Sequence, residues 1–269
     1  MRKSLPLVGA FLLAAAATAL DYAQEAVAAA QEPPDSDLID DLVAANHILY
    51  RQGVVDGFGH VSARHDKDPT RFLLARSMAP GLVTAGDIME LDLDGNALDP
   101  RGRTLYVERF IHSEIYKAYP EVRAVVHSHS PSIIPFGATA VKLQPIFHLS
   151  SFLGAGVPVF EIREAGGSAT DMLIRNPELG AALARMLGAS AVVLMRGHGD
   201  VVVGDSLQQV VFRAIYTEIN AKLEAEALQL GQGQVNFLNA EEAANATATN
   251  NRVLSRAWEL WKEQALGRH

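Results

Sequence analysis

Two histidines stand one residue apart in the segment AVVHSH, residues Ala124–His129, and a third lies in the segment RGHGDVVVG. If AVVHSH is a strand, His127 and His129 project from the same face, because side chains alternate across a sheet. Ala124, Val125 and Val126 are apolar, so the polar end of that strand is expected to open into a pocket. His198 sits between Gly197 and Gly199, whose missing side chains let ring and backbone come close to a ligand. Three neutral imidazoles at strand ends make an open metal site, with positions left for water or substrate. A His-x-His pair alone is as readily two satisfied or exposed rings, so the reading depends on what else converges. Glu108 is the carboxylate candidate, at the start of a predicted helix where the helix dipole favours an anion. The competing reading for Glu108 is ordinary first-turn decoration.

The elements that must position these groups follow from periodicity. Asp37–Gln52 is predicted as an amphipathic helix, with Leu38, Leu42, Ala45 and Ile48 on one face. Gly53–Arg64 is a loop entering a strand. Phe72–Ala75 and Ile88–Leu93 are short strands separated by a Pro80-Gly81 turn, and Asp94-Gly95 marks a hairpin turn. Val107–Tyr119 is a helix stopped by Pro120, and Ala124–His129 is a strand. Val157–Phe160, Ala191–Met195 and Val201–Val203 are further strands. Pro177–Leu187 is a helix, and Ser206–Gln229 is a long one with Val210, Ala214, Thr217, Ala221, Glu224 and Leu228 at near-helical spacing. A polar, Asn-rich stretch fills Asn236–Asn251, and an amphipathic segment carrying Trp258 and Trp261 ends the chain. No repeat and no interior linker divides it. The expectation is one α/β domain over residues 37–230, with a mostly antiparallel sheet flanked by helices. A C-terminal extension, residues 231–269, would pack on that domain or on a neighbouring subunit.

Composition bounds the function. The chain has 269 residues, is 49% hydrophobic and 20% charged, and carries a net charge of −8. That balance supports one well-buried domain and argues against nucleic acid, which needs a concentrated basic face. There is no cysteine, so any metal must be held by histidine and carboxylate. Arg2 and Lys3 precede an apolar run from Leu5 to Leu20, and A-x-A sites end at Ala19, Ala28 or Ala30. This reads as a secretory signal over residues 1–30, followed by a polar linker at 31–36. A periplasmic or secreted protein with no membrane association after cleavage is expected. The run is on the short side for a membrane anchor, which is the alternative.

Taken together, these residues resemble the class II aldolase/adducin head family. The matching elements are Gly59 with HVSAR, the Pro80-Gly81 turn before Ile88, Glu108, AVVHSH and LMRGHGDVVVG, spread over roughly Asp37 to Leu230. The nineteen residues from Glu108 to His127 agree with that family's catalytic glutamate and metal pair. The resemblance implies an α/β/α sandwich around a mostly antiparallel sheet. It implies metal ligation by His127, His129 and His198, with Glu108 as ligand, acid/base group or both. It also implies a homotetramer with the active site at a subunit boundary.

Departures from the family pattern bear on substrate. Sugar-phosphate aldolases of this family cradle phosphate with Thr, Asn and Ser in three loops. Here those loops carry His60, Pro80 and Tyr106-Val107, which argues against a phosphorylated sugar. His148 stands where the aldolases have a proton-donating tyrosine, and a histidine keeps acid/base capacity there; a core histidine bonded to backbone is its bland alternative. His60 and Arg76 are candidates to receive a substrate carboxylate. These changes resemble the branch that decarboxylates hydroxylated aromatic or pyridine carboxylates.

The expected function is therefore a divalent-metal-dependent carbon–carbon lyase acting on a small molecule. Decarboxylation and retro-aldol cleavage both leave an electron pair on carbon, which a metal-bound oxygen can accept. Imidazole ligands suit Zn, Mn, Co or Fe. The alternatives are an aldolase for an unphosphorylated aldehyde or hydroxy-carbonyl compound, a non-haem Fe(II) oxygenase, and a non-catalytic assembly module of the adducin kind.

Overall fold

The structure is a computed structural model, and it describes residues 32–267. The expected signal segment, residues 1–30, lies outside the described residues. Among the described residues, no helix is long and apolar enough to cross a membrane.

Seven strands form one sheet: β1 His60–Arg64, β2 Arg71–Ala75, β3 Ile88–Asp92, β4 Ala124–Ser128, β5 Val159–Phe160, β6 Val192–Met195 and β7 Gly199–Gly204. Their order is β3-β2-β1-β4-β7-β6-β5. Every neighbouring pair is antiparallel except β5 with β6. The mostly antiparallel expectation is met. The β1–β4 register sets His60 opposite His127, and the β4–β7 register sets Ser128 opposite Asp200.

Helices cover both faces. α1 is Ser36–Arg51, α2 Arg109–Ala118, α3 Ile134–Ala138, α4 Ile162–Gly166, α5 Pro177–Leu187, α6 Leu207–Leu230, α7 Ala240–Asn250 and α8 Leu254–Ala265. Two apolar cores divide the molecule at the sheet. One joins α1, α6 and Trp258 of α8 to Val61, Ala63, Ala124, Val126 and Val202. The other joins α2 and α5 to Phe72, Leu74, Val125, Val193, Val201 and Val203. Odd and even strand residues therefore face different helical layers, which is the α/β/α sandwich.

Local signals explain the best-defined ends. Asn176 accepts from the amide of Leu179 at 2.9 Å, Pro177 opens α5, and Gly188 follows its last residue. Capping and the fixed proline φ favour that start, and glycine relieves the exit. Ser206 caps α6 in the same way, accepting from Gln209 at 3.2 Å.

The C-terminal part departs from expectation at one point. The Asn-rich stretch contains a regular helix, α7, held by a capping box between Asn239 and Glu242. It lies on a 3-10 segment at His148–Ala155, where Thr247 donates to Ser151 and Asn250 to the His148 carbonyl, at 2.9 and 2.7 Å. α8 returns to α1, where Lys262 pairs with Asp41. The C-terminal extension packs on its own domain.

Candidate metal centre

β4 delivers the first ligand. His127 is wholly buried, on the same sheet face as Val125, and its Nδ1 donates to the Asp200 carbonyl at 2.9 Å. That bond leaves the lone pair of a neutral ring on Nε2, and Nε2 is buried without a hydrogen-bond partner. A buried polar atom left unmatched costs about 1–3 kcal/mol, so something is built to meet it. β4 ends at Ser128, which places His129 just past the strand, half-buried. His198 occupies the tight turn between β6 and β7. Gly197 takes φ +62° there, and the His198 amide bonds to the Met195 carbonyl at 3.0 Å. A side chain on Gly199 would strike the Ser128 carbonyl, so only glycine lets β7 close on β4 and bring His198 to His129.

Glu108 caps the start of α2 by position, yet its side chain does not cap the helix. Oε1 accepts from the Ile174 amide at 2.9 Å, and Oε2 lies 3.4 Å from His127 Nε2 and 3.5 Å from His198 Nε2. The expected helix Val107–Tyr119 begins later, at Arg109. One ligand atom from each of Glu108, His127, His129 and His198 falls within 4.8 Å of all the others.

Electrostatics fit a cation at that point. His198 Nδ1 donates to the Met172 carbonyl at 3.0 Å, so the lone pair of its neutral ring is on Nε2, which stands 3.0 Å from His129 Nε2. Burial, then the charges of His127 and His198, holds His129 down at about 4. Burial also lowers His198, with His127 adding to it. Burial pushes Glu108 up, but contact with His127 outweighs it and brings the carboxyl to about 2. Burial lowers His127, but its contact with Glu108 outweighs this and raises it, so His127 would yield its proton to the ion. The Glu108 carboxylate and the neutral rings of His129 and His198 already suit a divalent metal. The residues present fit such an ion.

The remaining sequence candidates separate. His60, on β1, is buried, with its ring centroid 5.1 Å from that of His127 and 4.5 Å from that of Tyr106. Arg76 pairs with Asp87 at 2.7 Å, so its charge is already answered within the chain. His148 is exposed at the start of the 3-10 segment and makes no described contact with the four-residue cluster. A single chain does not bring it there.

Two supports carry no sequence signal. The segment between α4 and α5 aligns both sides of the cluster through its backbone, with the Met172 carbonyl on His198 and the Ile174 amide on Glu108. Met172 holds φ +75° to do so, a conformation that costs a side-chain-bearing residue about 1–3 kcal/mol. His112 and Tyr116 could have been found. With Glu108, the residue before α2, they form a polar i, i+4, i+8 stripe, flanked by Ile111 and Ile115.

A family model described as the Class II Aldolase and Adducin N-terminal domain matches residues 40–225. The chain belongs to this family. It is 40% identical over 240 residues to the decarboxylase tropJ of Talaromyces stipitatus, covering 81% of this chain and 90% of that one. A 3,4-dihydroxyphthalate decarboxylase of Terrabacter is 32% identical over 214 residues, covering 74% of this chain and 84% of that protein. An L-fuculose 1-phosphate aldolase from Glaciozyma antarctica shares the fold with a TM-score of 0.71 at 21% identity, covering 90% of this chain and 97% of that chain. The chain is a carbon–carbon lyase with a candidate Glu/His metal site.

Proposed function

We propose that this lyase decarboxylates a hydroxylated aromatic acid or a similar small carboxylate, with a divalent metal held by Glu108, His127, His129 and His198. The carrying observation is the convergence of those four ligand atoms, including a buried, unmatched His127 Nε2, in a chain 40% identical to a decarboxylase. A divalent ion there would supply Lewis-acid stabilisation for the electron pair that loss of CO2 leaves on carbon. The protein's own residues orient the substrate and return a proton to that carbon. Glu108 is held ionised, which suits a ligand that can take and return a proton once substrate displaces water. His60 stands beside the cluster as a polar anchor for the substrate. Phe58 is 70% exposed with its ring 6.4 Å from that of His129, a flat apolar surface suited to an aromatic ring. The relatives named for 3,4-dihydroxyphthalate point to the same substrate class.

The proposal extends to a homo-oligomer, of four subunits by family resemblance, because another copy is what could bring His148 to the cluster. It also includes export, on the strength of Arg2, Lys3 and the run Leu5–Leu20; N-terminal sequencing of the mature protein tests that part. For the activity, ortho-hydroxylated aromatic acids are incubated with protein that has been chelated and then given Zn, Mn, Co or Fe. CO2 release that disappears on chelation and returns with one of these metals is expected. Cleavage of unphosphorylated hydroxy-carbonyl compounds without CO2 release would instead make the protein an aldolase.

A further inference from the structure

The polar groups beside the cluster form one continuous chain. His60 Nδ1 lies 2.6 Å from His112 Nε2, His112 Nδ1 lies 2.6 Å from Ser62 Oγ, and Ser62 Oγ lies 2.7 Å from Tyr116 OH. β1 supplies His60 and Ser62, and α2 supplies His112 and Tyr116 one turn apart. All four residues are buried, none more than 4% exposed. One end touches the metal centre through His60. The other is closed, with the Arg64 guanidinium 4.6 Å over the Tyr116 ring. Among the described residues, Ser62 Oγ is the phenol's one hydrogen-bond partner.

Such a chain has few ways to place its hydrogens, because each neutral ring carries one N–H and each hydroxyl one hydrogen. If Ser62 donates to Tyr116, the phenol hydrogen is stranded in a buried place, with the desolvation cost of an unmade bond. If Tyr116 and His112 both donate to Ser62, the serine hydrogen is stranded instead. One arrangement satisfies every group. Tyr116 donates to Ser62, Ser62 donates to His112 Nδ1, and His112 Nε2–H donates to His60 Nδ1. The proton of His60 then sits on Nε2.

We infer that Ser62, whose oxygen takes the Tyr116 hydrogen, acts through His112 to fix His60 as its Nε2–H tautomer, a neutral donor that receives an anionic substrate oxygen at the edge of the metal centre. In this form His60 offers the site neither a lone pair for the metal nor a base. Ser62 and His112 are positioning residues. Burial, with the charge of His127 adding to it, holds His112 down at about 3, so the chain stays uncharged and only its polarity is set. The inference rests on the decarboxylase reading for one point, that the anionic oxygen belongs to a carboxylate.

The test is nitrogen NMR of zinc-loaded protein carrying 15N-histidine, with His60 assigned by its loss in His60→Gln. The expected result is a protonated Nε2 and a bare Nδ1 on His60. Ser62→Ala removes a single oxygen, the group whose hydrogen holds His112, and should let His60 populate both tautomers. For an ortho-hydroxylated benzoate it should raise KM roughly fivefold, with kcat changed less, the effect of losing about one net hydrogen bond. Should Ser62→Ala fail to fold, a pair of variants at His112 decides the matter. His112→Gln keeps an N–H for His60 and should preserve the tautomer, whereas His112→Met should lose it. A wild-type proton on Nδ1, or a tautomer unmoved by both Ser62→Ala and His112→Met, overturns the inference. The NMR result stands whether or not any acid is decarboxylated. Decarboxylation by a protein with the opposite tautomer would sink this inference alone.

Discussion

Each face of the central sheet carries an apolar core, but around β1 and the end of β4 the two faces do opposite work. Toward α2 and α5, β1 and β4 project His60, Ser62, Arg64 and His127. Toward α1, α6 and α8 the same strands project Val61, Ala63, Ala124 and Val126. Both faces are buried. On the apolar face, burial itself stabilises, at about 1.5–3 kcal/mol for each large aliphatic side chain. On the polar face it is a cost that specific partners must offset. Arg64 shows how: its guanidinium meets no described carboxylate but donates to four carbonyls, of Pro69, Tyr116, Tyr119 and Val122. The same rule, applied to His127, leaves Nε2 unmet within the candidate metal cluster of Glu108, His129 and His198.

The comparison breaks most visibly at a ligand. His198→Ala removes one imidazole without touching either core. Losing a residue that only supports a ligand typically costs 10- to 100-fold, so losing the ligand should cost more than about 100-fold in metal affinity and in CO2 release. Metal content by mass spectrometry, with urea unfolding as the control, reads both sides. Full metal content with lost activity would move His198 out of the metal set.

Sequence revealed the elements that carry a local signal more readily than the buried polar groups of β1 and β4. The stripe Leu42, Ala45 and Ile48, and the cap Asn176 with Pro177, each carry their own local signal, so α1 and α5 are legible. The alternation in HVSAR is visible too. Nothing in the alternation says that His60, Ser62 and Arg64 lie buried under α2, as they do in the fold. The three histidines and Glu108 were legible because family spacing ties distant segments together. The Met172 and Ile174 contacts were not, since they use backbone atoms that any residue possesses. The polar composition of α7 hides it, although Asn239 and Glu242 spell a capping box. What holds it is contact with the 148–155 segment, which no local pattern displays.

The apolar face has polar clusters of its own, and one is centred on Asn220. Asn220 on α6 accepts from the Ile146 amide and Ser150 and donates to the Gln144 carbonyl, at 3.0, 2.6 and 2.8 Å. It pins the loop that leads into His148. Asn220→Ala strands buried partners and should lower stability by about 1–3 kcal/mol. Metal content should be unchanged, because the cluster's supports lie on the other face. A loss of metal equal to that of His198→Ala would show that the faces are not independent. If His148 serves the reaction from a second copy, kcat should also fall.

Acid and base should pull the two faces in opposite directions. His112, held at about 3 chiefly by burial, stays neutral in the fold while the unfolded chain protonates near its ordinary value of about 6.5. The unfolded state then binds more protons, so this contribution grows as pH rises from about 3 to 6.5. Glu224, on the other face, is raised by burial to about 7 against the bonds from Gln144 and Asn220. There the folded state keeps the proton that the unfolded chain releases near its ordinary value of about 4.3. That contribution is full below the ordinary value and fades as pH rises toward 7. Urea midpoints of chelated protein across this window should therefore show a shallow pH dependence. Glu224→Gln should steepen the rise with pH, and His112→Gln should flatten or reverse it. Parallel shifts in both variants would mean the two groups do not titrate as their burial dictates.

Phe58 belongs to neither face, and the smallest effect should arise there. Its loop is held by the Asp56 carboxylate accepting from the Phe58 amide at 2.9 Å. At Gly59, φ is +90° and a side chain would crowd the His127 carbonyl. The ring is thus carried by a fixed turn that touches the ligand strand, yet it remains open to solvent. An aromatic pair contributes about 0.5–1.5 kcal/mol beyond its buried area, so Phe58→Ala should raise KM for an ortho-hydroxylated benzoate by about two- to tenfold. An aliphatic hydroxy acid should be affected less, and metal content not at all. If the oligomeric state changes while KM holds, the ring belongs to a subunit contact. The polar face alone would then carry substrate recognition.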